Sequence, residues 1–281
     1  KFYKNGRWKF VIIDDRIPCV PIDNTGENYE PIYARGKDPN EIWVMLLEKA
    51  YAKLHKCYEN LGGGLTDYGL RDVTGGEPAT IKLEGEASQG HLWEQIGGAS
   101  TEGHIMMLGC SILDTGTDAF EGEGTLGLLT NHAYSVLKIE RFQDETLLQV
   151  RNPWGRTEWQ GDWSDYWDGW TTEAKKRLNW VAEDDGTFWM NIKDFCKYFT
   201  DVYVCDILPV IWKRVRLLGS WSKAEGTAGG CLNYMKTWGK NPQYRFVVEE
   251  PVTAIIVLSQ KDSRTKETME ECEQAANARL E

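Results

Sequence analysis

A histidine and an asparagine each sit in a short, distinctive stretch of this chain, Asn131-His132-Ala133-Tyr134-Ser135-Val136 and Arg151-Asn152-Pro153-Trp154-Gly155. An imidazole beside an amide is a proton-handling pair. The amide oxygen accepts the ring's Nδ1 hydrogen, selects one tautomer, and turns Nε2 toward a nucleophile. Trp154 suits a roof over that contact, because excluding water keeps a hydrogen bond of about 1 kcal/mol from being exchanged for solvent. A plainer reading makes His132 a polar strand end and Asn152-Pro153 an ordinary turn opener. That reading accounts for either residue alone, but not for the amide, the indole and the strand register together.

The elements that must bring the pair together are legible on either side. Residues 132–140 read as a strand, 142–145 as a turn, and 147–151 as a returning strand. In an antiparallel hairpin centred near Phe142 or Gln143, residue 132 falls opposite residues 152–154. Such an arrangement is the histidine–asparagine part of the Cys-His-Asn constellation of papain-like proteases, where the histidine deprotonates a thiol and later protonates the leaving amine. Upstream, Asp38-Pro39-Asn40-Glu41 reads as a helix opening with an N-cap, a first-turn proline and a capping-box acid. Ile42, Leu46, Leu47, Ala50, Tyr51 and Leu54 follow on one face, and Gly62-Gly63-Gly64 stops the helix. A strand over 8–15, a second helix over 90–97 and a strand over 105–113 complete an α+β expectation.

Several segments in fixed order carry a family resemblance. His-Ala-Tyr-Ser-Val and Arg-Asn-Pro-Trp-Gly are accompanied by Leu46-Leu47-Glu48-Lys49-Ala50-Tyr51-Ala52-Lys53, Asp72-Val73-Thr74-Gly75-Gly76, Gly109-Cys110-Ser111-Ile112, Asp185-Gly186-Thr187-Phe188-Trp189-Met190 and Thr227-Ala228-Gly229-Gly230-Cys231-Leu232-Asn233-Tyr234. Together they resemble the calpains from about residue 2 to about residue 260. The resemblance implies a calcium-dependent cysteine endopeptidase with His132 as general base and acid, Asn152 as its orienter and Trp154 as its shield. It also implies that Gly64 makes main-chain contact with an extended substrate, a role glycine suits because it lets backbone approach backbone. Calpains carry their nucleophile in a Gly-Asp-Cys-Trp-type stretch, with an oxyanion-hole glutamine just before it. No such stretch occurs here, so the sequence reads either as a fragment or as a protein that has lost its nucleophile.

None of the seven cysteines sits in a glycine-rich approach to a helix N-terminus, where a thiolate is favoured. Cys110 and Cys57 read as small buried hydrophobes. The odd count, with no CxxC or HExxH pairing, argues against a disulfide framework or zinc, and points to a reducing, cytoplasmic compartment.

Carboxylates crowd the stretch 158–187, with eight acids (Glu158, Asp162, Asp165, Asp168, Glu173, Glu183, Asp184 and Asp185) against Lys175, Lys176 and Arg177. Read from composition, this is a solvated acidic surface or a site for a hard cation. The resemblance implies Ca2+ held by Glu158, Asp165 and Asp185 with a backbone carbonyl from Glu183, and it makes Glu41 an inter-lobe ligand, in competition with its capping-box role. The chain has Asp185-Gly186-Thr187 where calpains commonly have Asp-Gly-Glu, which implies weaker calcium binding.

At 281 residues the chain can bury a sizeable core, and its formal charge of -11 offers no basic stripe for nucleic acid. It has no apolar run long enough to span a membrane. Of its thirteen tryptophans, those from Trp154 to Trp189 allow either a glycan platform or an aromatic core.

The organisation expected is therefore the end of a first protease lobe and an inter-lobe segment over 1–37, and a second calpain catalytic lobe over 38–206. A partial antiparallel β-sandwich follows over 207–260, with strands at 212–218, 243–249 and 252–259, and then a charged tail over 261–281. Its partners would be protein substrates and the missing catalytic lobe. The competing expectation is a non-proteolytic, calcium-responsive binding module.

Overall fold

The computed structural model describes residues 1–36, 38, 40–97, 106–113, 122–209 and 211–258. Two compact units emerge, one holding Lys1–Leu208 and the other spanning Pro209–Lys261.

The first unit opens on a hairpin, β1 (Phe2–Lys4) against β2 (Arg7–Lys9), turned by Asn5 and Gly6 at φ 54° and 74°. Asn-Gly is the pair that such a two-residue turn favours, since both residues must adopt positive φ. The strand expected over 8–15 ends at Lys9. Beyond it the chain runs along α1 (Trp43–Leu54), where Lys53 Nζ donates to the Ile12 carbonyl at 2.7 Å and Lys49 reaches the Asp14 carboxylate. These lysine contacts replace the backbone ladder a strand would need. A second small pair, β3 (Cys19–Pro21) with β4 (Tyr29–Pro31), lies between the hairpin and α1.

The capping box predicted at Asp38 does not open the helix. Asp38 Oδ1 accepts from the Asn40 amide at 2.8 Å and its carbonyl from the Glu41 amide at 3.0 Å, so the aspartate closes a local turn instead. Helix α1 begins later, after Ile42, with no side-chain cap. Pro39 lies outside the described residues. The helix also ends before the glycine run, because a 3₁₀ turn, Tyr58–Leu61, comes between them.

After the glycines come α2 (Thr66–Thr74), β5 (Glu77–Lys82), and α3 (Gln89–Leu92), which continues as a π turn through Gly97. Next are β6 (Met106–Ile112), the short pair β7 (Gly122–Glu123) and β8 (Leu129–Thr130), then β9 (His132–Phe142) and β10 (Glu145–Arg151). Helix α4 (Thr172–Leu178), β11 (Thr187–Asn191), α5 (Ile192–Tyr198) and β12 (Asp201–Asp206) finish the unit. The central feature is a six-stranded antiparallel sheet in the order β11-β10-β9-β6-β12-β5.

Apolar residues cover both faces of this sheet. Tyr134, Val136, Leu148, Val150, Phe188, Met190 and Phe195 share one cluster, while Leu147, Trp189, Phe142, Trp163 and Leu178 form another. Trp167 and Trp170 pack against the second cluster, and the Trp163 and Trp170 rings meet edge to face at 5.1 Å. This part of the tryptophan-rich stretch is therefore aromatic core, not an open platform.

The β9–β10 hairpin carries one irregularity. Leu148 faces Ile139 and Gln149 faces Lys138, but Val150 then faces Val136 and Arg151 faces Ser135. Leu137 is the skipped residue of a β-bulge, and it changes which side chains of β9 point inward from that position on.

In the second unit, hydrogen bonds tie turns rather than strands: Gly229 donates to Asn241 Oδ1 at 2.9 Å, and Asn241 Nδ2 donates to the Gly230 carbonyl at 2.7 Å. The strands expected at 212–218, 243–249 and 252–258 do not form among the described residues. Val215, Phe246 and Val252 are exposed, and an alternating apolar segment becomes a strand only when a neighbour accepts its backbone hydrogen bonds. Residue 259 and the tail expected over 261–281 fall outside the described residues.

Candidate active site

His132 opens β9 and Asn152 follows the last residue of β10, so the sheet carries both to one end. His132 Nε2 lies 2.8 Å from Asn152 Oδ1, with the two residues 4 % and 0 % exposed. The ring nitrogen engaged differs from the sequence expectation. Nε2, not Nδ1, meets the amide, which directs Nδ1 away from Asn152.

The bulge makes this contact possible. Val150 and Leu148 point into the same cluster as Tyr134 and Val136, and His132 and Asn152 extend these two alternations by one step. With Leu137 paired in an unbroken ladder, the even-numbered residues from 132 to 136 would face the opposite side, because a one-residue slip exchanges the two faces.

Asn152 is fixed on every side. Its Nδ2 donates to the carbonyls of Arg156 at 2.7 Å and Thr157 at 3.1 Å, which leaves Oδ1 to accept from the histidine and from the Trp154 amide at 3.0 Å. The two donated bonds settle which end of the amide faces the ring. Trp154 lies with its ring 4.9 Å from that of His132, and Tyr134 meets the imidazole edge-on at 4.9 Å. Trp154 is 46 % exposed, so it covers the pair from the solvent side.

Beside this pair lies the acidic group. Glu158 Oε1 accepts from the amides of Asp185 at 3.0 Å and Gly186 at 2.7 Å; Asp165 Oδ2 accepts from the Glu183 amide at 3.2 Å. Asp165, Glu183 and Asp185 share the wall of a cavity of about 220 Å³ with Gln149 and Trp189. Burial, together with the charges of Glu158 and Asp185, pushes the Asp165 carboxyl up to about 7. Glu158 is raised as well, first by burial and then by Asp184 and Asp185, against the pull of its two amide donors. The same loop touches the histidine pair, since the Gly186 carbonyl accepts from the Asn152 amide at 2.8 Å. Gly186 sits at φ 83°, and a Cβ there would come within 2.6 Å of the Asn152 carbonyl oxygen, so the close approach requires glycine.

An oxygen-only, self-repelling donor set fits a hard cation in its chemistry. It does not yet fit in convergence, because among the described residues no three His, Cys, Asp or Glu side chains come together closely enough to hold a metal ion. Glu41 is exposed in the turn before α1. Gly64 is also exposed, at φ 151°, a conformation open to glycine and strained for other residues.

Two family comparisons now bear on this geometry. Residues 1–206 match the model for the calpain family cysteine protease, and residues 217–277 match that for calpain large subunit, domain III. This chain belongs to the calpain family. Calpain-5 of Mus musculus is 35% identical over 92% of this chain and 44% of its own length. Calpain-type cysteine protease ADL1 of Oryza sativa subsp. japonica is 38% identical over 92% of this chain and 12% of its own, and Calpain-B of Drosophila melanogaster 35% over 95% and 31%. The chain thus spans less than half the length of these calpains. Its domain III match begins within the segment whose expected strands do not form among the described residues.

Burial disfavours the thiolate form at the buried cysteines of this chain. Burial holds the Cys110 thiol well above its usual value, pushes Cys196 up to about 11 and raises Cys205. Among the described residues all six cysteines are free of disulfides.

Proposed function

We propose that this chain is the histidine–asparagine half of a calcium-dependent calpain endopeptidase. The observation that carries the reading is the 2.8 Å contact from His132 Nε2 to a fully buried Asn152 Oδ1. With Nε2–H held by the amide, Nδ1 is the nitrogen that takes the proton of a cysteine thiol from the first catalytic lobe. It then returns that proton to the amine as the peptide bond breaks. Trp154 and Tyr134 keep the ring from rotating, and Trp154 keeps water from the amide contact. Gly64 would accept an extended substrate by main-chain hydrogen bonds, which suits preferences spread over a stretch of protein rather than one deep pocket.

Calcium would be held by Glu158, Asp165, Asp185 and the Glu183 carbonyl, and Glu41 would contribute from the inter-lobe segment. A bound cation would supply a counter-charge to the raised Asp165 and Glu158 carboxyls. The free cysteines support a reducing, cytoplasmic setting. A second reading is the non-proteolytic calcium-responsive module.

Fusing a calpain first lobe to this chain separates the two readings. The protease reading expects calcium-dependent cleavage of casein that thiol alkylation blocks and His132→Ala strongly reduces. A fusion that folds, binds calcium and cleaves nothing establishes the binding module instead.

A further inference from the structure

Away from the histidine–asparagine pair, a second set of polar side chains is buried between the N-terminal hairpin, α1 and α2. Asp72 of α2 accepts from Lys4 Nζ at 2.5 Å and from the Tyr51 hydroxyl at 2.9 Å. His55, just past the end of α1, is 1 % exposed, and its Nε2 lies 3.7 Å from Asp72 Oδ2, beyond hydrogen-bond reach. Neither of its ring nitrogens has a hydrogen-bond partner among the described residues. A buried ion pair with an unsatisfied imidazole contributes little net stability, because desolvating the charges offsets most of their attraction. Such a cluster calls for a role other than holding the fold together.

Its position supplies one. The glycine run Gly62-Gly63-Gly64 is anchored to this cluster at both flanks. On one side Asn60, in the turn before the glycines, donates from Nδ2 to the His55 carbonyl at 2.6 Å. On the other side α2 opens at Thr66, one residue beyond the run, and carries Asp72 towards its far end. Gly63 and Gly64 are held at φ 80° and 151°, values that a loop of glycines leaves easily unless its ends are fixed. The cation of the cluster comes from the hairpin, whose Phe2 is fully buried against the Tyr51 ring at 5.2 Å.

We propose that Lys4 and Asp72, seated by Tyr51 and His55, form a latch through which the N-terminal hairpin sets the shape of the Gly62–Gly64 turn for an extended peptide substrate. Lys4 and Asp72 are positioning residues, and they act through the glycine turn. The substrate part of this inference rests on the reading of Gly64 as a main-chain contact.

The test has two arms. In the chain itself, amide hydrogen exchange is compared among wild type, Lys4→Met, Asp72→Asn and the double variant. The latch expects exchange over residues 60–66 to rise about tenfold or more in each variant, with β9 and β10 unchanged. The double variant leaves no lone buried charge, so it should fold as stably as wild type while its turn still exchanges fast. Unchanged exchange at the turn, or an equal rise across the sheet, overturns the latch. In the fusion with a calpain first lobe, the same variants should raise KM for an extended peptide about tenfold with kcat within about twofold, a split that general destabilisation does not produce. Fast exchange with unaltered KM overturns the substrate role. A fusion that cleaves nothing in any form refutes the protease reading, and the exchange arm still decides the latch.

Discussion

Leu137 determines which face of the sheet His132 occupies. It is the extra residue of the bulge between the Lys138–Gln149 and Val136–Val150 pairs, and every residue of β9 before it is rephased by one step. The side chain itself is exposed and buries little, so what matters is the count of residues rather than the chemistry of this one.

Inserting one residue beside Leu137 should therefore break the pair while leaving the hairpin. With a single bulge retained, the added paired residue turns His132 to the face away from Asn152. Leu137→Ala keeps the register and should behave as wild type, and deleting Leu137 leaves Val136 opposite Val150 and His132 on its face. In an active fusion the insertion is expected to lower kcat at least about 100-fold, the usual contribution of a general acid–base group. The hydrogen-bonded imidazole N–H resonance, present in Leu137→Ala and lost in the insertion, checks the cause.

Asn152 carries a structural duty beside its contact with His132. Asn152→Asp preserves an acceptor for the ring but sets a carboxylate oxygen against the carbonyls of Arg156 and Thr157, which now accept from Nδ2. Denaturant unfolding should show a loss of about 1–3 kcal/mol, since two partly buried hydrogen bonds lose their donor. An unchanged midpoint would mean that this loop tolerates the charge and that the amide matters for the histidine alone.

Calcium should raise the melting temperature of the chain, because a ligand that binds only the folded state stabilises it. Asp185→Ala should abolish the rise. Asp165→Asn should do the same, yet should also raise the melting temperature in chelator, since it removes a carboxylate that burial and the charges of Glu158 and Asp185 disfavour. Thr187→Glu, which restores the acid common in calpains, should enlarge the calcium effect. No shift at millimolar calcium would return these acids to an ordinary acidic surface.

Acid should loosen the hairpin through Asp72. Burial pushes its carboxyl up, but His55, Lys4 and Tyr51, the groups facing it from α1 and β1, more than offset this and hold it below 3.8. A carboxyl lowered in the folded state stabilises fully above its unfolded value of about 4 and loses that contribution as pH falls through the folded value. Asp72→Asn should flatten the fall in melting temperature between about pH 4 and pH 2; an unaltered slope would place the acid sensitivity at other carboxyls.

How much of this was legible in the sequence differs from element to element. The alternation from His132 through Val136, the turn at Gln143 and the returning Leu147–Val150 run specified an antiparallel hairpin, because side-chain period and turn chemistry are local properties. The ordered motifs marked the calpain family for the same reason: each is a contiguous string. The bulge at Leu137 was not visible, since it depends on Val136 and Val150 sharing a core with Phe188 and Met190, residues far along the chain. The helix cap expected at Asp38 does not form because a short acidic side chain closes a turn as readily as it opens a helix, and only the packing of the residues after it chooses between the two. The strands expected beyond residue 209 do not form among the described residues for a related reason, as alternation records a preference that a neighbouring strand must satisfy. Burial decided the rest. Lys4, His55 and Asp72 lie far apart in sequence and bear no shared motif, and only the packing of the hairpin against two helices takes them out of water together.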